Sequence, residues 1–445
     1  MKAKANNQSE AILNAPPLRT LLVFSVPIIL GNIFQQLYNI VDAIVVGRFL
    51  GDLPLKGISI ASPIMDIFYA LLLGISIGVG VLVGRLSGAE DWKKLKRVHV
   101  TTLCAGAAVS LLFSAAGLLL SRRILLGQGY SEESVGEAVK YLTIIFAGLI
   151  FCFFYKYLAA ALRSWGNSRM PFVVLLVSST IHAGLDVLLC GVFGLGIMGV
   201  ACSTVFCQIL STVWLALYIE KNCPALSLKG ESLKPDLSLL TEISSYAWAA
   251  ALQQAVVTLG RFLVQGMLAP LGEDTVTGYN MGMRIEQFLF CFMQGISAAM
   301  VVAIAQNLGH GNKKRVKSFF YTTLMTLVAL LLVLGSAVFF LAPQLVGIFS
   351  KNETVISAGA SYLHTMAYLY IMAFAGEAVQ SFFRGLGRMR ITMIASVSSI
   401  ILRVALSYFL VPLWGIGGIC VAVVCGWCLI VFGFGSYCLR CAARL

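Results

Sequence analysis

"GISIGVGVLVGRLSGAEDWKKLK" (Gly74–Lys96) and "GISAAMVVAIAQNLGHGNKKRVK" (Gly295–Lys317) are two copies of one pattern, set 221 residues apart with nothing inserted or deleted. Each is a Gly-rich apolar stretch that runs into a basic loop. The same shift carries Arg163 to Arg384, Gly166 to Gly387, and "GLGIMGVA" (Gly194–Ala201) to "GIGGICVA" (Gly415–Ala422). One register spanning most of both halves marks an internal duplication, so each half should form a structural unit of the same kind.

Composition says which kind. A chain of 445 residues with 59% hydrophobic and 11% charged residues, and a mean hydropathy of +0.89, is excluded from the ordinary soluble globules. An apolar run of about 20 residues is long enough to cross roughly 30 Å of hydrocarbon as a helix. Twelve such runs occur, near 18–49, 56–86, 98–121, 133–162, 170–192, 195–219, 239–270, 276–308, 317–342, 353–384, 391–412 and 415–438. None shows the alternation of a membrane barrel strand, and helices are the other way to satisfy the backbone in lipid. The sequence predicts an all-α membrane protein of twelve transmembrane helices in two parallel six-helix repeats around a central cavity. Six is even, so the second repeat starts on the same side as the first, and alternating access by two lobes becomes the expected architecture. Residues 1–220 make the first lobe, 221–238 a linker with Pro, Gly and charge, and 239–445 the second lobe.

Loop charge sets the orientation. "GRLSGAEDWKKLKRVH", "RSWGNSR", "GHGNKKRVK" and "RGLGRMR" are basic and fall on one side, whereas "GVFGLG" and "VPLWGIGG" carry no charge and "LGEDTVTG" is acidic. The positive-inside rule places both termini in the cytoplasm of a cell (inner) membrane. The net charge of +13 is then a topology and anionic-lipid signal and calls for no nucleic-acid partner. The first run is too long for a signal peptide and lacks a small-residue cleavage site, so it is read as a span. Most of the 12 Cys fall inside the runs as small apolar residues, and no metal or cofactor is expected. The chain is read as a monomer.

Polar residues inside the runs carry the functional reading. An Asp near mid-bilayer costs about 2.5–3.5 kcal/mol on insertion scales, so Asp42 needs a reason. Asn32, Gln35, Asn39 and Asp42 fall at i, i+3, i+7 and i+10 and make one stripe. Ser179, His182 and Asp186 do the same in the fifth run, and Thr204, Gln208 and Ser211 in the sixth. These stripes should face the lobe interior. By helical rise Asp42 and Asp186 lie at one level, Asp66 slightly deeper, and Lys156 in the inner half, a poor partner for Asp42. Two carboxylates together in a low dielectric cannot both ionise cheaply, so such a pair can hold a proton. The plainer reading is that they only hydrogen-bond neighbouring helices. Pro27 breaks a backbone hydrogen bond in the first run and is either a hinge or a static kink.

The second half has different chemistry. Gln254, Thr258, Arg261 and Gln265 share a face of the seventh run, with Arg284 and Glu286 at a similar level in the eighth. Arg261 with Glu286 reads as a structural ion pair. The duplicate of Lys156 is Glu377, a further candidate, and that of His182 is Arg403.

"VPIILGNIFQQLYNIVDAIVVGRFLG" in the first run, "ALRSWGNSRMP" after the fourth, "GLDVLL" in the fifth and "GVACSTVFCQ" in the sixth, with fainter echoes in the second half, resemble the multidrug and toxic compound extrusion (MATE) family. That family sits in a broader group with lipid-linked-sugar flippases. The resemblance implies a cation-driven exporter of bulky, often cationic organic compounds. It matches Asp42 and Asp186 to the coupling carboxylates, Pro27 to the first-helix proline and Thr204 to the sixth-helix threonine. Where the family commonly has Asn four residues before the second Asp, this chain has His182. Sodium prefers oxygen ligands and an imidazole offers nitrogen, which favours H+ over Na+ as the coupling ion.

Two rivals remain at this level. A lipid flippase would share the architecture, but the first half is acidic and Arg261, Arg284 and Arg403 are confined to the second. An intramembrane aspartyl enzyme would need a "GxGD" around Asp42, Asp66 or Asp186, and none is present, nor is "HExxH" or a nucleophile elbow. The chain is read as no enzyme.

Overall fold

The computed structural model describes residues 12–229 and 234–444, except for the side chains at positions 42, 43, 52 and 269. The first half folds into α1 (Pro17–Phe49), α2 (Asp52–Gly88), α3 (Trp92–Gly127), α4 (Glu132–Ala147), α5 (Leu149–Trp165), α6 (Arg169–Asp186) and α7 (Gly196–Asn222). The second half gives α8 (Leu240–Gly266), α9 (Glu273–Gly309), α10 (Lys313–Gly347), α11 (Glu353–Met366), α12 (Tyr370–Gly385), α13 (Met389–Trp414), α14 (Ile416–Cys428) and α15 (Gly435–Ala443). Among the described residues there is no strand.

Among the described residues ten helical segments are long and apolar enough to cross a membrane, and α4 with α5, bent by 51° at their junction, make an eleventh. The run expected at 353–384 is the pair α11 and α12, interrupted by a turn at 367–369. Every one of the twelve apolar runs is therefore helical. The two interrupted spans are duplicates of each other, since the shift of 221 carries Gly148, between α4 and α5, onto Leu369.

The helix starts are duplicated in the same way. Asp91 accepts a hydrogen bond from the Lys94 amide at 3.0 Å to cap α3, and its counterpart Asn312 accepts from the Arg315 amide at 3.2 Å to cap α10. Such caps satisfy amides that the first turn leaves without partners. The residue before each cap sits in left-handed backbone, Glu90 at φ 54° and Gly311 at φ 81°. Glycine adopts that conformation without steric cost, whereas Glu90 accepts some strain to hold the same turn. Ser131 and Asn352 cap α4 and α11 by the same device.

The chain forms two compact units, one of Leu30–Ala255 and the other of the described residues up to Ile29 with Val256 onward. Both α1 and α8 are thus divided, α1 just after Pro27. In the second unit the start of α1 buries Leu21 and Phe24 among Met300, Phe319 and Phe383. There Gly295 meets Ile29 so closely that a Cβ on the glycine would lie 2.3 Å from Ile29 Cγ1. In the first unit Gly74 meets α8, and a Cβ would lie 2.4 Å from the Ala250 carbonyl oxygen. The duplication maps Gly74 onto Gly295 and Ile29 onto Ala250, so one backbone approach is made twice. Small residues permit such approaches between helices in lipid, where packing replaces the hydrophobic drive. Arg315 holds the segment before α1 to the second unit, donating to the carbonyls of Ile12 at 3.0 Å and Ala15 at 2.7 Å, while Asn307 donates to Ile12 at 3.2 Å.

Candidate functional site

The Leu30–Ala255 unit gathers polar side chains from α1, α6 and α7. His182 and Asp186 lie one turn apart at the end of α6, just before the chain loosens into a π-helical turn at Val187–Val192. Both are buried, Asp186 at 0% and His182 at 4% exposure. His182 Nδ1 stands 2.7 Å from Asp186 Oδ2, an ion-pair distance. The ring nitrogen is not aimed along that line, and Oδ2 receives no aligned hydrogen bond. The short distance governs the electrostatics, because Coulomb energy depends on separation and a hydrogen bond on angle as well. The Ser203 hydroxyl bonds the other carboxylate oxygen, Oδ1.

The imidazole is enclosed from two further sides. Tyr38 places its hydroxyl 2.7 Å from Nδ1 and 3.1 Å from Nε2, with its ring edge-on to the imidazole at 5.0 Å between centroids. Thr204 Oγ1 lies 3.0 Å from Nε2. That hydroxyl also lies 2.9 Å from the Val200 carbonyl on the turn before it.

A second group lies farther along the same face of α7, where Gln208 follows Thr204 by one turn. Gln208 donates to the Tyr69 hydroxyl at 3.1 Å, and Lys156 stands over the Tyr69 ring at 5.4 Å. Lys156 also reaches Asp66 electrostatically. The sequence left Asp66 without partners because these residues come from α2, α5 and α7. On α1, Gln35 donates to Asn39 at 3.2 Å; Asn39 is exposed, and Asn32 and Gln35 are half-buried. Pro27 lies inside α1, and the Asp42 side chain lies outside the described residues.

The second-half candidates divide differently. Gln254 is half-buried, and Arg261 and Arg284 are exposed. Glu286 is buried at 7% exposure and accepts hydrogen bonds from Tyr362 at 2.7 Å and Tyr370 at 2.8 Å. The expected ion pair with Arg261 is not formed: both phenols bond Oε2, and Arg261 acts on the carboxylate only at longer range. Glu377 accepts from Arg384 and, at 3.0 Å, from Ser381, both on its own helix.

Two residues of the His182 site escaped the sequence reading. Tyr38 stands one turn before Asp42, so spacing could have found it, but a tyrosine in an apolar run reads first as a packing residue. Ser203 is hidden beside Thr204, facing Asp186 where Thr204 faces His182.

The MatE family model matches residues 27–188 and 249–409, one stretch in each copy of the duplication. Multidrug export protein MepA of Staphylococcus aureus (strain NCTC 8325 / PS 47) is 25% identical over 358 residues, covering 80% of this chain and 79% of that protein. The protein of the same name from Staphylococcus saprophyticus is 24% identical over 397 residues, covering 89% and 88%. A solved structure described as the outward-facing conformation of a multidrug resistance MATE family transporter of the MOP superfamily superposes with a TM-score of 0.91, covering 99% of each chain at 19% identity. That likeness establishes the fold.

Proposed function

The chain belongs to the MatE family, and from that premise we propose that it is a proton-coupled antiporter exporting bulky organic compounds, cations among them, by alternating access. The relatives named as multidrug export proteins support the cargo class. The reading places the chain in the cell membrane with both termini cytoplasmic, working as a monomer without a cofactor.

One observation carries the choice of proton. His182 Nδ1 and Asp186 Oδ2 lie 2.7 Å apart in a buried pocket. A proton on the imidazole would set an opposite charge beside the carboxylate, and a proton on the carboxylate would remove its charge, so the pair offers two places for one proton. This reading gives the pair the exchangeable proton, and its nitrogen face is a poor ligand set for sodium.

In the proposed cycle protons enter from outside and neutralise the acidic groups of the first half, Asp42 and the His182–Asp186 pair. Asp42 shares α1 with Pro27, where a missing backbone hydrogen bond allows the helix to bend. Loss of negative charge and bending together release a bound organic cation to the outside. Polar residues Asn32, Gln35, Asn39, Asp66 and Gln208 line the path of cargo or proton in the same half.

The test is ethidium efflux from proteoliposomes with pH and sodium gradients imposed separately. A pH gradient alone should drive efflux, and His182→Asn should gain some response to sodium. Efflux that needs sodium and ignores the pH gradient would overturn proton coupling.

A further inference from the structure

The second unit holds two guanidiniums that the proposed coupling does not use. Gly260 on α8 meets α13 so closely that a Cβ would lie 2.4 Å from Ile400 Cγ2. Arg261 follows Gly260, and Arg403 lies one turn beyond Ile400, so this crossing brings the two arginines together, within reach of each other's charge. Among the described residues neither forms an ion pair, and Arg403 Nε is buried with no hydrogen-bond partner. Glu286 is the carboxylate within electrostatic reach of both, yet its Oε2 is occupied by Tyr362 and Tyr370. Two positive charges therefore face one negative charge inside membrane-spanning helices, where uncompensated charge is costly and marks function.

The duplicated positions of the first unit do not carry this grouping. The first-unit counterparts of Arg261, Glu286 and Arg403 are Ile40, Met65 and His182. Tyr141, the counterpart of Tyr362, directs its hydroxyl to Met65 Sδ at 3.6 Å, just as Tyr362 directs its own to Glu286. The helix packing is shared and the charges are not.

We propose that Arg261 and Arg403 form a binding site for the carboxylate of an organic cargo. Guanidinium presents paired donors that match a carboxylate, and Arg261 is exposed and open to one. Glu286, pinned by two phenols, stays close enough to weaken the hold on the anion and permit its release. This inference rests on the transport reading and extends its cargo from cations to molecules that carry an acid group.

Rhodamine 110 has a free carboxylate and rhodamine 123 is its methyl ester, so the pair isolates that group. Fluorescence anisotropy with the purified full-length chain in nonionic detergent should show rhodamine 110 binding. Arg403→Gln and Arg261→Gln should each weaken rhodamine 110 relative to rhodamine 123 by about tenfold, the scale of one charge-assisted hydrogen bond. Arg403→Lys, which keeps the charge, should lose less, and Glu286→Gln should tighten rhodamine 110. Failure of the native chain to bind rhodamine 110, or equal weakening of both dyes in the arginine variants, overturns the site. Ethidium has no carboxylate, so its efflux tests the transport reading independently of this one.

Discussion

His182 Nδ1 and Asp186 Oδ2 lie 2.7 Å apart on a single helix, with the carboxylate fully buried. The i,i+4 spacing alone puts the two on one face, so α6 preforms the pair before any other helix arrives. What α1 and α7 add is the setting: Tyr38 at the ring edge, Thr204 on Nε2 and Ser203 on the carboxylate.

Asp186→Asn keeps the side-chain shape but cannot ionise. Gradient-driven ethidium efflux in vesicles should fall at least about tenfold. Asp186→Leu removes the carboxylate acceptor of the buried Ser203 hydroxyl and should cost about 1–3 kcal/mol of stability, read as a lower Tm by tryptophan fluorescence. Native efflux by Asp186→Asn would show that the residue is only structural.

Tyr38→Phe removes the hydroxyl at His182 and keeps the edge-on ring. Losing one hydrogen bond of about 0.5–1.5 kcal/mol should slow efflux roughly two- to tenfold with the yield of folded protein unchanged. An unaltered rate would reduce Tyr38 to a packing role.

Gly74→Ala places a methyl 2.4 Å from the Ala250 carbonyl oxygen, where backbone must move. Overpacking of this sort costs about 1–3 kcal/mol, so Tm should drop by several degrees. Gly136 in α4 has nothing within 4 Å of its added Cβ, and Gly136→Ala should be neutral or stabilise by about 0.5–1 kcal/mol. The same Tm for both variants would contradict the close approach.

Arg315→Ala removes both guanidinium bonds to Ile12 and Ala15. Charge-assisted bonds contribute about 1.5–3 kcal/mol each, so backbone amide exchange at the start of α1 should quicken by about tenfold or more. Exchange that stays at the native rate would mean that Asn307 and the buried Ile12 suffice to hold the segment.

Single cysteines at Lys94 and Lys314, in a chain otherwise free of Cys, should react with a membrane-impermeant thiol reagent only after the cytoplasmic face is opened. Labelling in intact cells would reverse the orientation.

Much of this was legible because helical periodicity and duplication are one-dimensional signals. The shift of 221 residues, read from the sequence, relates the paired caps at Asp91 and Asn312, while the paired breaks around Gly148 and Leu369, inside runs read as continuous, came only with the structure. The stripe of His182 and Asp186 anticipated their contact, since neighbours one turn apart meet in any helix. Asp66 and Glu286 were another matter. Their partners, Lys156 for one, Tyr362 and Tyr370 for the other, arrive from other helices, and no spacing within a single run encodes which way two helices turn toward each other.

By itself, then, the amino-acid sequence determined the twelve helices, their duplication and the residues that each helix presents on its polar face, because composition and period act through the nearest turns of one chain. Only the tertiary structure decided that Tyr38 completes the His182 site from 144 residues away, that phenols and not Arg261 hold Glu286, and that α1 and α8 each divide between two units. These depend on where glycines such as Gly74 and Gly295 let backbones touch, and that contact fixes the azimuth of every side chain on the helices that make it.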